Sequence, residues 1–131
     1  NGTGMVSGTY QGSLDISSND PVTPNWVVPV NLTIIGMPEL ALSDSCVAFD
    51  STLQFTHDTA GIWVYNTGCD TLSVSNIISS SADVTFDTTA MEIAPYDSLY
   101  LTAYFSPDTA QMYAGTITIF NNAGDSTICF T

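Results

Sequence analysis

Apolar and polar residues alternate along this chain in short runs bounded by turn formers. Ile62 and Val64 alternate with Trp63 and Tyr65, Leu99 and Leu101 with Ser98, Tyr100 and Thr102, and Ile117 and Ile119 with Thr116 and Thr118. A period of two is that of a β-strand with one buried face. No segment sustains a period of 3.6, so no long helix is predicted. The runs 61–65, 98–102 and 115–120 are rich in β-branched and aromatic residues and read as strands. Turn signals recur about every ten residues, the spacing of a sandwich or barrel. The alternation assigns Ile62, Val64, Leu72, Val74, Ile77, Phe86, Leu99, Leu101, Phe105, Ile117, Ile119, Ile128 and Phe130 to the core. Asn66-Thr67-Gly68 supplies a turn, with Gly68 free to take positive φ.

An internal repeat sets the domain organisation. Tyr10-Gln11-Gly12, followed by Leu14 and Ile16, recurs as Tyr113-Ala114-Gly115, followed by Ile117 and Ile119. After a polar turn, Val28 and Val30 in the first copy match Ile128 and Phe130 in the second. The first turn is the longer, and its Pro21 and Pro24 suit an extended loop. Residues 1–36 are therefore expected to be the closing hairpin of one domain, or a strand donor between subunits. Gly36-Met37-Pro38 reads as a short linker, and residues 38–131 as one complete domain ending in the same hairpin. A two-stranded hairpin is marginal alone in water, so residues 1–36 need a partner.

Several elements together resemble the Hydin-like (ASH-type) immunoglobulin-like repeats of bacterial surface proteins. Phe49 and then Val64-Tyr65-Asn66-Thr67-Gly68 resemble the family's Phe-Gly…Val-x-Asn-x-Gly. Ile93-Ala94-Pro95-Tyr96-Asp97-Ser98 is similar to its Pro-Gly-Ser turn, and Tyr104-Phe105-Ser106-Pro107 to its Phe-x-Pro. Tyr113-Ala114-Gly115 opens the closing hairpin, and residues 7–36 are similar to the end of a repeat. Asp50 and Asp97 depart from the pattern, standing where the family usually has Gly. The resemblance implies an all-β fold: an immunoglobulin-like β-sandwich preceded by the terminal hairpin of a second such domain. It also implies a non-enzymatic module, and no cofactor is expected unless calcium binds.

Charge narrows the function classes. The 131 residues carry 13 acids, one His and no Lys or Arg, a formal net charge of −13. Neutralising phosphates needs cations, so nucleic acid is excluded as a partner. Attraction to anionic membrane surfaces fails on the same ground, and no apolar run is long enough to span a bilayer. No basic stretch precedes an apolar one near the start, so no signal peptide is read here; if the protein is secreted, its signal lies upstream of Asn1 or was removed. His57-Asp58 falls in a loop with no nucleophile elbow nearby and reads as exposed loop, not as a catalytic base. Glu39 and Glu92 are the only Glu, with nothing to mark them as a glycosidase pair.

Eight of the eleven Asp precede Ser or Thr, where chance would place about three. Seven of these triplets end in Ala, Leu or Thr and resemble the Asp-Ser/Thr-apolar-or-Thr acceptor of O-glycosylation in Bacteroidota. The candidate sites are Ser51, Thr59, Thr71, Thr88, Ser98, Thr109 and Ser126. The competing reading is turn chemistry, since Asp, Ser and Thr all cap turns. Asn1-Gly2-Thr3 and Asn31-Leu32-Thr33 fit the N-glycosylation sequon. Calcium is a possible cofactor: Asp20 lies in a loop, and Asp44 and Asp50 flank the first strand of the full domain, although no EF-hand spacing is present.

Of three cysteines, Cys129 should point away from the core between Ile128 and Phe130. In the sandwich type resembled, the first strand, with Cys46, runs beside the last. A Cys46–Cys129 disulfide is the first choice and Cys46–Cys69 the alternative; an extracellular or cell-surface protein would tolerate either. The expected function is a structural or adhesive repeat of an extracellular filament, stalk or adhesin, partnered by other copies or adjacent repeats. The alternative is a carbohydrate- or protein-binding module that uses Trp63, Tyr65 or Trp26.

Overall fold

A computed structural model describes residues 4–131; the Asn1-Gly2-Thr3 sequon lies outside the described residues. The chain divides between Gly36 and Met37 into two units. The first is a single antiparallel hairpin of β1 (Gly8–Ser17) and β2 (Asn25–Ile34). Its loop is closed by Ser18 N–H donating to Pro24 O at 2.7 Å.

The second unit is all-β. Its strands are β3 (Leu40–Leu42), β4 (Cys46–Val47), β5 (Asp58–Asn66), β6 (Leu72–Ser79), β7 (Val84–Phe86), β8 (Met91–Ile93), β9 (Ser98–Phe105), β10 (Gly115–Asn121) and β11 (Ser126–Phe130). They form a five-stranded sheet in the order β4-β11-β10-β6-β8 and a four-stranded sheet in the order β3-β5-β9-β7. All pairings are antiparallel except β4 with β11, which is parallel.

The alternation read from sequence sorts the faces of the long strands. Ile62 and Val64 on β5, Leu101 and Phe105 on β9, Ile117 and Ile119 on β10, and Ile128 and Phe130 on β11 are buried between the sheets. On β6, Leu72, Val74 and Ile77 are all buried despite the odd step from 74 to 77. The register against β10 shifts there, pairing Phe120 with Asn76 and Asn121 with Val74. Ser75 is the extra residue of a bulge, and the bulge turns Ile77 inward. Val47, Val84, Ile93 and Ala103 complete the core, with Phe86 half-buried against it.

Leu99 does not belong to the core. It shares the parity of Leu101, yet 42% of it is exposed. β7 pairs with β9 only from Ala103 to Phe105, so β9 is an edge strand at Leu99 and the side chain lacks a neighbour there.

Gly68 is also required for a different reason than expected. It is not among the positive-φ residues. A Cβ at Gly68 would fall 2.3 Å from Met37 O and 2.5 Å from Glu39 N, so only glycine lets the 37–39 backbone pass. Left-handed φ appears instead at Tyr96 (62°). Ala94-Pro95-Tyr96-Asp97 closes a turn with Asp97 N–H bonded to Ala94 O at 3.2 Å. Pro95 and Tyr96 occupy the two central positions, and the second normally takes glycine in a type II turn.

Candidate functional site

Beside this turn lies the one buried polar side chain among the described residues, Asn66, at the end of β5. Its amide donates to the carbonyls of Asp70 (2.7 Å), Ile93 (3.0 Å) and Ala94 (3.1 Å). Its side-chain oxygen accepts from the N–H of Gly68 (3.0 Å) and Glu39 (3.3 Å). One side chain thus ties the start of β3, the 66–70 turn and the end of β8. Asn has two donors and a two-lone-pair acceptor, and no apolar residue could satisfy this set. The Asn-x-Gly motif is therefore structural here.

The surfaces left over are of three kinds. The first is the hairpin. Its cross-strand pairs Tyr10↔Leu32, Gly12↔Val30, Leu14↔Val28 and Ile16↔Trp26 share one face. That face is almost wholly apolar, and Leu14, Ile16, Trp26, Val28, Val30 and Leu32 are all exposed. In the second hairpin the corresponding pairs are Gly115↔Phe130, Ile117↔Ile128 and Ile119↔Ser126, the same register residue for residue. There, Ile117, Ile128 and Phe130 are buried against the opposite sheet.

The second surface is the outer face of the four-stranded sheet. Trp63 and Tyr100 face each other across β5 and β9, with ring centroids 5.2 Å apart and planes at 66°. The Tyr100 ring lies over Gly61, where a Cβ would meet it at 2.9 Å. Gly61 thus leaves the room that the Leu101 carbonyl oxygen and the Tyr100 ring occupy, and the aromatic covers backbone that glycine leaves bare. Tyr65 and Tyr104 extend the exposed aromatic stripe.

The third surface is a pocket of about 440 Å³ at one end of the sandwich, between the loop after β4 and the segment before β10. The Phe105 ring sits there between Phe49, at 5.2 Å, and Tyr113, at 5.0 Å.

The candidate glycosylation sites do not share one environment. Ser51, Thr59, Thr71 and Thr109 are exposed, while Thr88, Ser98 and Ser126 are half-buried. The Thr88 hydroxyl donates to Ala90 O at 2.7 Å, and the Thr109 hydroxyl lies 2.8 Å from that of Tyr113. Turn chemistry has a direct counterpart: the carboxylates of Asp44, Asp70, Asp87 and Asp97 each accept the N–H of the following Ser or Thr at 2.8–2.9 Å.

Of the residues considered for calcium, the carboxylates of Asp20 and Asp44 are occupied locally. Asp20 accepts Val22 N–H and the Thr23 hydroxyl, and these bonds hold its carboxyl below the usual range. Among the described residues no three acidic, His or Cys side chains gather as a metal site. His57 is exposed on its loop, and Glu92 accepts the Ser73 hydroxyl at 2.6 Å. A disulfide joins Cys46 to Cys129 across the parallel β4–β11 pair, with Cα atoms 4.4 Å apart. Cys69 is a free, half-buried thiol.

No protein-family model and no curated protein matches the chain. Solved structures do match. The seventh PapD-like domain (an ASH domain) of human CEP192 aligns over 70% of this chain and 81% of its own, at 9% identity and a TM-score of 0.63. This chain has the immunoglobulin-like sandwich fold of ASH and PapD-like domains. A protein of unknown function from Porphyromonas gingivalis W83 aligns over 97% of this chain and 66% of its own, at 21% identity and a TM-score of 0.62. Domains 4 and 5 of the S-layer protein SbsC align over 80% and 57%, at 15% identity and a TM-score of 0.45. At these identities the ASH-like likeness concerns the fold.

Proposed function

We propose that this chain is a structural repeat of a longer extracellular or surface protein, with residues 1–36 the closing hairpin of one ASH-like sandwich and residues 38–131 the next. The observation that carries the reading is the matched register of the two hairpins, one with its apolar face buried and one with the same face bare. About 25 cal/mol is gained per Å² of apolar surface removed from water, so a face of this size favours cover strongly. The cover that fits is a sheet like β3-β5-β9-β7, in the preceding repeat of the same chain. The alignment with the P. gingivalis protein, which spans both units within one longer chain, supports this. Supply of the hairpin to a second copy, as in strand-addition polymers, is the alternative arrangement. The disulfide suits an oxidising compartment, and the absence of Lys and Arg leaves no site for trypsin-like proteases. Ser51, Thr59, Thr71 and Thr109 are the O-glycan acceptors the reading favours, being exposed.

Hydrogen exchange on the 131-residue chain tests the hairpin's part. At a concentration where the chain is monomeric, the β1–β2 amides should exchange at nearly unfolded rates while those of β10–β11 are strongly protected. Equal protection in the two hairpins would mean that the first is self-sufficient, against the proposal.

A second reading, binding of carbohydrate, is favoured by one observation, the exposed Trp63–Tyr100 pair. Aromatic faces of this kind stack on apolar ligand faces. Trp63→Ala should then abolish retention on a glycan array without changing the unfolding midpoint by more than about 1 kcal/mol in free energy, as for an exposed site. No retention of the unaltered protein on any glycan removes this reading.

A further inference from the structure

The end pocket of the sandwich has the shape and unpaired backbone of a missing strand. Along the parallel β4–β11 pair, Cys129 N–H donates to Ser45 O at 3.1 Å and Thr131 N–H to Val47 O at 3.0 Å, and Phe49 N–H donates to Thr131 O at 2.8 Å. The next acceptor in this ladder is the Phe49 carbonyl, which accepts no hydrogen bond among the described residues. On the opposite wall, the backbone groups of residues 111–114 likewise make no hydrogen bond among the described residues. Between these two walls lies the pocket, with Thr131 at its head and Phe49, Phe105 and Tyr113 lining its apolar side.

The first hairpin shows what such a slot receives. There, β2 runs on past Asn31, and Leu32, Thr33 and Ile34 pair with Tyr10, Thr9 and Gly8. By the register the hairpins share, the counterparts of Tyr10, Thr9 and Gly8 are Tyr113, Met112 and Gln111. These are residues of the unpaired wall, and Met112 is fully exposed. Leu32 and Ile34 fall on the same face as Val28 and Val30, so their counterparts would point at Phe49, Phe105 and Tyr113.

We infer that this slot seats an extended strand of polypeptide that continues β11 as residues 32–34 continue β2, hydrogen-bonded on both sides and apolar at its first and third positions. The occupant is the segment that leads from this sandwich to the following repeat, so the inference rests on the proposed tandem arrangement and deepens it. Seated there, the segment makes the junction part of the sheet, which restricts how far neighbouring repeats can swing. Unpaired strand edges in turn are liabilities for aggregation, and this one is closed by the chain itself.

The test appends Leu-Thr-Ile-Ile-Gly, the sequence of residues 32–36, after Thr131 of the full chain, and compares it with a control tail carrying Asp at the first and third positions. Amide exchange at Gln111 and Tyr113, whose N–H groups face the slot in this register, should slow about tenfold or more with the apolar tail. It should remain at the rate of the untailed chain with the control, and the β5–β9 amides should be equally protected in all three. Unchanged exchange at Gln111 and Tyr113 with the apolar tail overturns the inference. So does protection by the same pentapeptide added free when the fused tail gives none, since the strand would then come from another chain. The slot is read by exchange and the tandem arrangement by the mass of the native protein, so either can fail alone.

Discussion

Asn66→Ala should destabilise the sandwich by roughly 3–5 kcal/mol, the largest effect expected of any single substitution outside the apolar core. The side chain is 1% exposed and serves five main-chain partners. Truncation leaves the carbonyls of Ile93 and Ala94 and the N–H of Gly68 with a methyl group where their partner was. Each buried group left unpaired costs about 1–3 kcal/mol, and relaxation and entering water recover part of the sum. Asn66→Leu should do no better, because it fills the volume without satisfying the groups. Urea unfolding of the three proteins decides it: a loss under about 1 kcal/mol for Asn66→Ala would mean that the 37–39 strap, the 66–70 turn and β8 hold together without this side chain.

Removing the disulfide ranks second. Cys46→Ser with Cys129→Ser should cost roughly 2–5 kcal/mol, because the bond closes a separation of 83 residues and restricts the unfolded chain accordingly. It also pins β4, a strand of two residues held in the sheet by few hydrogen bonds. Both cysteines are replaced so that neither can pair with Cys69. Unfolding the unaltered protein with and without a reductant provides the check. The reduced protein should match the double variant, and a midpoint indifferent to reductant would show that the bond restricts little.

Much of this fold could be read from alternation because its long strands have one wet face. β5 and β9 bury every second residue over five positions, and β10 and β11 over three, which a period of two reveals. The short strands gave no such signal. Val47 lies on a strand of two residues and Val84 and Ile93 on strands of three, so their burial follows from where the chain crosses the sheets and not from local pattern. Leu99 failed for a related reason: parity fixes which face a side chain points to, but only the neighbouring strand decides whether that face is covered. The register of the two hairpins was visible through Tyr-x-Gly and the paired aliphatics. The aromatic pair was half visible: Trp63 stood out on β5, while Tyr100 became its partner only through the β5–β9 register and the space at Gly61. Asn66 was seen as a turn residue and proved to be a buried hub, because nothing in a single sequence reports how many carbonyls converge on one amide. The Asp-Ser/Thr triplets remain double in meaning: four of the eight Asp cap the next residue, which turn chemistry requires and glycosylation does not.

The intact mass of the protein purified from its natural source, before and after removal of glycans, tests the repeat proposal most directly. The expected mass lies far above the 13.9 kDa of this chain and stays high once glycans are removed, as for a tandem array. A deglycosylated mass at 13.9 kDa would contradict it, and the bare face of the first hairpin would then have to be covered by another chain.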